Sequence, residues 1–323
     1  MTPERPVVFH VNGIGDRVMA LPAVRALSTL YPGRLSVIGV EGDGELLYSG
    51  LPLRLFHALS FEWVGYRKFD ARTLVDAVGG TDLLLSLNTW NEDVPPVLEL
   101  LPEARTLGFF KGFTDRLRIN EARHSCDMYF DFVQRLEPTL KLEDFTQPPS
   151  LPEASVAFAR DVRASLGGTA RVLVVHTETG EEKRWPAERF RRVLREFLAR
   201  HPEWLALVVD VEEAGLDADG GSDRVFSMPR LMLPAAMALV STADMFLGVD
   251  SCMLHMADIC RVPGVGLFGP TTAARYGFRF GPHRHVEAHG PMMGVGEAAV
   301  LEALEALAAE PQAATNWRST SLR

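Results

Sequence analysis

The chain has 323 residues, 47% of them hydrophobic and 23% charged, which is an ordinary composition for a protein that buries a core. Its length favours two domains over one. A formal net charge of −9 argues against nucleic acid as a partner and against a broad electrostatic grip on an anionic membrane, leaving peripheral contact through a local basic patch at most.

No apolar stretch approaches the ~20 residues of a membrane-spanning helix. The opening residues, MTPERPVVFHVNGIGD, lack a basic segment followed by an apolar one and a small-residue cleavage site, so no signal peptide is expected. Cys126, Cys252 and Cys260 are odd in number and have no metal-ligand spacing, so free thiols in a reducing, cytoplasmic setting are expected.

Pro6 to Val11 (PVVFHV) is a short β-branched run and is predicted to be the first strand. Gly13-Ile14-Gly15-Asp16 then turns into a helix carrying Val18, Leu21, Val24 and Leu27. The glycines suit either a tight turn or close approach of backbone to a ligand. A dinucleotide fingerprint would need a small residue where Val18 stands. Asp16, at the helix start, suits the helix dipole, which residue type alone favours; the alternative is a general base. Leu35 to Val40 reads as a second strand, and 46–71 as irregular and aromatic. Arg67, Lys68 and Arg72 form a basic cluster, either a solvated face or an anion contact. Thr81 to Leu87 is a third buried-strand candidate. Its exit, Asn88 to Asp93 with Trp90, reads as a sugar-binding loop or as a capped helix start before Pro95-Pro96. Lys111, Arg116 and Arg118 form a second basic cluster, and a helix is predicted after Arg123-His124-Ser125.

Gln147-Pro148-Pro149-Ser150-Leu151-Pro152 has three prolines in six residues, which excludes helix and central strand. The domain boundary is placed here, giving domains 1–150 and 151–323. A helix from about Glu153 should end at Gly167-Gly168. Arg171 to His176 is a buried strand, and Thr177 to Lys183 its exit loop. An amphipathic helix follows, with Phe190, Val193, Leu194, Phe197 and Leu198 on one face. Lys183 sits before that helix, where its charge gains nothing from the dipole; it is a solvated lysine or an anion contact. Trp204 to Val211 reads as a strand ending in Glu212-Glu213, and 224–227 as a shorter one. Leu231 and Met232 lead into a helix that ends before Asp244.

The stretch 245–271 carries the densest signal. Met245 to Val249 reads as a buried strand, Asp250 and Ser251 stand at its end, and a helix runs through His255 to Ile259. Val265 to Phe268 forms the next strand and leads into Gly269-Pro270-Thr271. In open parallel sheets ligands sit outside the carboxyl ends of strands, and a helix starting at Ser251 offers free N–H groups to a phosphate. Residues 297–309 form a final helix.

Three ordered stretches resemble the heptosyltransferase family (glycosyltransferase family 9). GVDSCMLHMADICRVPGVGLFGPT is similar to its G-V-D-T/S-G-x-x-H-x-A and V-P-x-x-x-x-[FY]-G-P-T signatures. Gly13 to Asp16 with Leu21-Pro22-Ala23-Val24-Arg25-Ala26-Leu27 is similar to its G-x-G-D, x4, L-P-A-[LV]-R-A-L. Lys183-Arg184-Trp185-Pro186 with Glu188 and Phe190 is similar to K-R-W-P-x-E-x-F. The resemblance implies an α/β GT-B fold, two Rossmann-like domains facing each other across a cleft. It implies acceptor binding by domain 1–150 and nucleotide-sugar binding by domain 151–323. Asp16 would be the catalytic base. Gly15, Thr177, Lys183, Glu213, Leu231, Met232, Asp250, Ser251, Cys252 and His255 would contact the donor. Arg67, Lys68, Asn88, Trp90, Lys111 and Arg116 would face the acceptor.

Glycosyl transfer from a nucleotide diphosphate sugar needs a base for the acceptor hydroxyl and stabilisation of the leaving diphosphate, by a metal or by fixed donors. Around the expected diphosphate site there is no Asp-x-Asp pair and no His/Cys cluster, while Lys183 and a helix N-terminus are present. That favours metal-free transfer with no cofactor, and the resemblance implies inversion and an ADP-heptose donor. The acceptor would be a glycan, a lipopolysaccharide core, a protein or a natural product. Another nucleotide sugar, an isomerase on the same scaffold, and a non-catalytic nucleotide-sugar-binding module are the alternatives. Two departures stand out: Cys252 replaces the family glycine, and Ala288 to Met293 replaces a C-x-x-C-M stretch that carries a metal in some relatives.

Overall fold

The computed structural model describes residues 2–60, 69–89, 94–167, 170–212, 214–216 and 223–310. The chain forms two compact units, Met1–Ser150 and Leu151–Arg323. The chain passes from the first unit to the second through the proline-rich segment, where the ring constraint keeps the backbone out of both helix and ladder.

The first unit contains β1 (Pro6–Phe9), α1 (Ile14–Leu30), β2 (Ser36–Val40), α2 (Asp43–Leu46), β3 (Leu55–Leu59), α3 (Ala71–Ala77), β4 (Leu83–Ser86), α4 (Pro95–Glu99), β5 (Arg105–Gly108), β6 (Asp115–Arg116) and α5 (Ser125–Gln134). Its six strands are all parallel, in the order β3-β2-β1-β4-β5-β6. Central strands of such sheets are covered on both faces, which is why PVVF is apolar throughout, LLLS carries only Ser86 as a polar residue, and both are fully buried. Val8 sits between Val37 and Leu85 in register. Helices α1 and α5 pack together on this unit.

The second unit contains α6 (Glu153–Ser165), β7 (Arg171–His176), α7 (Ala187–Arg200), β8 (Trp204–Val208), β9 (Val225–Ser227), α8 (Leu233–Ser241), β10 (Met245–Val249), α9 (Cys252–Ile259), β11 (Gly264–Phe268), α10 (Ala273–Tyr276), β12 (His283–Glu287) and α11 (Glu297–Ala309). The strand order is β12-β11-β10-β7-β8-β9, again all parallel. Counted from each unit's own first strand, both sheets have the order 3-2-1-4-5-6 of dinucleotide-binding sheets. The apolar face of α7 joins Trp204, Leu247 and α11's Val300 and Leu304 in one core. Each large apolar side chain fully buried there stabilises the fold by about 1.5–3 kcal/mol. Gly167 ends α6 at φ +89°, a backbone angle natural to glycine.

Most expected elements are present, with three kinds of difference. The strand expected at 204–211 stops at Val208, because Asp210 turns inward to hydrogen-bond Thr177. The region expected to be irregular, 46–71, holds β3, which pairs with β2 along its full length. Strands β5, β6 and β12 also join the sheets. β12 reads HRHVE, and it becomes a strand through its pairing with β11 rather than through any apolar pattern.

Candidate functional site

In a 3-2-1-4-5-6 sheet the chain reverses direction of growth between strands 1 and 4, and the loops leaving those strands splay apart to form a crevice. In the second unit those strands are β7 and β10. Their exits carry Thr177 to Lys183 and Asp250 to Ser251.

Lys183 ends a short 3-10 turn, Glu181–Lys183. Its ammonium lies 3.3 Å from Asp250 Oδ2 and donates to the Asp250 carbonyl oxygen at 3.2 Å. Thr179 Oγ1 donates to the same carbonyl at 2.8 Å. On the other side of Asp250, His255 Nε2 stands 3.6 Å from Oδ1. Asp250 and His255 are both buried, and Asp250 is thus flanked by two basic side chains. Ser251 is the N-cap of α9, with extended backbone and no side-chain capping bond. Its Oγ is buried and has no hydrogen-bond partner among the described residues. Cys252, half-buried, is the first residue of α9. The N-terminus of α9 therefore presents backbone N–H groups and an unsatisfied hydroxyl beside a lysine, a set of donors suited to anionic oxygen.

Trp185, two residues after Lys183, is anchored instead. It is buried, its Nε1 donates to Val295 O at 3.1 Å, and its ring meets Phe190 edge-on at 4.8 Å. Arg184 is exposed and ties back to Thr179 O. The Lys-Arg-Trp-Pro run thus uses Trp185 to fix the loop and leaves Lys183 at the β10 exit.

The β7 and β8 exits are tied together. Asp210 accepts from the Thr177 N–H at 2.9 Å and from its Oγ1 at 2.8 Å. His176 Nδ1 lies 2.9 Å from Asp210 Oδ1 and 2.6 Å from Val209 O. Burial pulls the His176 imidazole down, but the hydrogen bond and charge of Asp210 more than offset it, so its pKa is raised above the ordinary value. The Glu178 carboxylate accepts from the Val211 and Glu212 N–H groups at 2.5 and 2.7 Å. A cavity of about 270 Å³ is lined there by Thr177, Glu178, Trp185 and Glu212, among others. Glu213 lies outside the described residues. Leu231 is half-buried, and Met232, the N-cap of α8, is 77% exposed, unusual for a large apolar side chain.

In the first unit the corresponding strands are β1 and β4. Gly13 is the N-cap of α1, and Gly15 and Asp16 lie in its first turn. The Tyr129 hydroxyl, from α5, donates to Asp16 Oδ1 at 2.9 Å. Asn12 Nδ2 donates to Tyr129 Oη at 3.1 Å. Beneath them His10 is fully buried, with neither ring nitrogen hydrogen-bonded among the described residues, and its ring centroid is 5.4 Å from that of Tyr129. Burial, reinforced by the nearby Arg17 charge, pushes the His10 pKa down to about 3. Arg17 forms a buried ion pair with Asp43 at 2.6 Å.

Asn88, expected to face the acceptor, is buried inside this unit. Its Oδ1 accepts the Val11 N–H at 2.9 Å and its Nδ2 donates to Ser86 Oγ, so the amide links the β1 and β4 exits. The helix after it, α4, starts on Val94 without a side-chain cap. Lys111 and Arg116 are exposed, and Arg116 borders a cavity of about 580 Å³ with Phe109, Phe110, Arg118 and Ile119. Arg67, Lys68 and Trp90 lie outside the described residues. Tyr129 was not anticipated as a site residue: in sequence it is one aromatic on an amphipathic helix, and its partner Asp16 is 113 residues away. Among the described residues, no three or more His, Cys, Asp or Glu side chains group to hold a metal ion, and no helix is long and apolar enough to cross a membrane.

Two parallel sheets of this order, each with polar and charged residues at its switch point, define the GT-B class of α/β protein. Residues 114–286, more than half of the chain, match Glycosyltransferase family 9 (heptosyltransferase); the chain belongs to that family and is a glycosyltransferase. The fold is similar to the family 9 glycosyltransferase from Veillonella parvula DSM 2008, at 18% identity and TM-score 0.75, covering 94% of this chain and 97% of that one. It is also similar to E. coli heptosyltransferase WaaC with ADP, at 16% identity and TM-score 0.69, covering 94% and 99%. A third similar structure is the iron-containing dodecameric heptosyltransferase TibC of enterotoxigenic E. coli in complex with ADP-D-beta-D-heptose, at 13% identity and TM-score 0.57, covering 94% and 77%. No curated protein matches the sequence. The family match includes Lys183, Asp250, Ser251 and His255, while Asp16 lies before its first residue.

Proposed function

We propose that the protein transfers a heptose from an ADP-heptose-like donor to an acceptor hydroxyl, with inversion and without a catalytic metal. The observation that carries this reading is the meeting of Lys183, Asp250 and the start of α9 at the β7/β10 switch point. Relatives of the same fold are described with ADP and with ADP-D-beta-D-heptose, which supports the choice of donor.

In this reading the second unit holds the donor. The diphosphate lies against the α9 N-terminus, with Lys183 Nζ, Ser251 Oγ and backbone N–H groups as donors. As the anomeric carbon–oxygen bond breaks, its electron pair passes to the diphosphate, and fixed donors stabilise that charge at no reorganisation cost. A carboxylate beside a diphosphate would repel it. Asp250 is tolerated because Lys183 and His255 flank it, and it serves to aim the lysine. The cationic and N–H character of this donor set, which takes phosphate oxygen directly, supports metal-independent departure. The first unit binds the acceptor, and Asp16 takes the hydroxyl proton as oxygen attacks the face opposite the leaving group. A lipopolysaccharide core, another glycan, a protein or a small natural product supplies that hydroxyl, and the reaction is placed in the cytoplasm.

Heptose transfer from ADP-heptose to a panel of core oligosaccharides and hydroxyl-bearing small acceptors tests the reading. The Asp16→Asn protein should lose about 10²–10⁴ of the rate expected of a general base, with ADP affinity unchanged. Undiminished transfer by that protein would remove Asp16 from the base role.

A further inference from the structure

We infer that Tyr129 is a positioning residue for the reaction, holding Asp16 in the ionised form and in a fixed orientation; this rests on the reading of Asp16 as the base. The argument begins one residue further in, at Asn12. The Thr89 N–H donates to Asn12 Oδ1 at 3.2 Å, which fixes which end of the Asn12 amide is oxygen. Its Nδ2 then faces the Leu87 carbonyl, Thr89 Oγ1 and, at 3.1 Å, Tyr129 Oη. Asn12 is fully buried and Tyr129 is 1% exposed, so both groups are held away from bulk solvent. The phenol oxygen accepts from Asn12, and its single proton points to Asp16 Oδ1, 2.9 Å away. An ionised carboxylate accepts only, so the polarity of the chain Thr89, Asn12, Tyr129, Asp16 is set at every link.

A hydrogen bond donated to the charged form of a carboxyl favours that form. Tyr129 therefore keeps Asp16 ready to accept a proton and restricts its rotation. The phenol is held by packing as well: its ring lies against His10 at 5.4 Å and Phe109 at 6.4 Å between centroids. Among the described residues, the ionisable groups near this point include His10, Arg17 on the same helix as Asp16, and Asp43, which pairs with Arg17. The Tyr129→Phe replacement keeps the ring that packs against His10 and leaves the Arg17–Asp43 pair in place, so the change it makes next to Asp16 is loss of the hydroxyl.

The test follows the Asp16 carboxyl by carbon NMR of aspartate-labelled protein, with its signal assigned by its loss in Asp16→Asn. In Tyr129→Phe the carboxyl should titrate about one pH unit higher. With 3-fluorotyrosine at position 129, a stronger donor of the same shape, it should titrate lower than in the natural protein. ADP affinity by calorimetry should be unchanged in both, and heptose transfer by Tyr129→Phe should fall with its acid limb displaced upward. An Asp16 titration that ignores both replacements would overturn the proposal, even if Tyr129→Phe is less stable to heat. Failure of the base reading shows itself separately, as heptose transfer surviving in Asp16→Asn.

Discussion

Lys183 reaches Asp250 twice, with its ammonium 3.3 Å from the carboxylate Oδ2 and 3.2 Å from the backbone carbonyl oxygen of the same residue. The two residues are 67 apart in sequence and belong to the exits of neighbouring parallel strands, β7 and β10. A lysine placed before a helix start has nothing to gain from the dipole, and this contact supplies the reason for its position. Replacing Lys183 with alanine should weaken ADP binding about 10- to 100-fold, since it removes a charged hydrogen-bond donor and leaves Asp250 facing the diphosphate. Calorimetric titration with ADP measures this, and an unchanged affinity would take Lys183 out of the phosphate site.

Ser251 Oγ is buried and has no hydrogen-bond partner among the described residues. An unsatisfied buried hydroxyl costs about 1–3 kcal/mol. Ser251→Ala should therefore leave thermal stability unchanged or raise it, while weakening ADP binding. A loss of stability with unchanged ADP affinity would make the hydroxyl structural.

Gly248 lies on β10, two residues before Asp250 and paired with His176. A Cβ there would come within 2.9 Å of the His176 carbonyl oxygen and 2.7 Å of the Phe246 ring. Backbone in a central strand cannot give way cheaply, so Gly248→Ala should cost about 1–3 kcal/mol in chemical denaturation and weaken ADP binding by displacing Asp250. Stability equal to that of the natural protein would contradict the packing of this strand pair.

Asp258, on α9, is buried, and burial pushes its carboxyl up to about 6 despite N–H groups of Phe280 and Arg279 that favour ionisation. A carboxyl whose folded pKa lies above its unfolded value makes the fold bind an extra proton, so its stabilisation is complete below about 3.8 and is lost as pH rises through about 6. Asp258→Asn keeps an oxygen for both N–H groups and removes the titration. Its stability relative to the natural protein should increase between pH 4 and pH 8, as thermal unfolding at each pH would show. A relative stability independent of pH would contradict the assignment.

The buried strands of both sheets were legible because a parallel strand covered on both faces reads as a near-continuous apolar run; β7 and β10 have the bounds expected of them. The helices α7 and α11 were legible from their apolar faces and their glycine and proline neighbours. Among the edge strands β9 was expected, while β3, β6 and β12 were not. β3 and β12 hold His57, His283 and Arg284 and owe their conformation to a neighbour's ladder, information that no local window contains. The site divides in the same way. Lys183, Asp250 and Asp16 each stood at a strand exit, but position left a structural role open for Asp16 and a solvated one for Lys183, and it was the resemblance to the family that nominated them. What each side chain touches depended on contacts across the fold: Asp250 for Lys183, Tyr129 for Asp16, and Val11 for Asn88, whose amide turned inward.

The most direct test of the donor assignment is calorimetric titration of EDTA-treated protein with ADP, GDP and UDP. Selective binding of ADP without added metal is the predicted result. Preference for GDP or UDP, or ADP binding that appears only when a divalent metal is restored, would contradict the account.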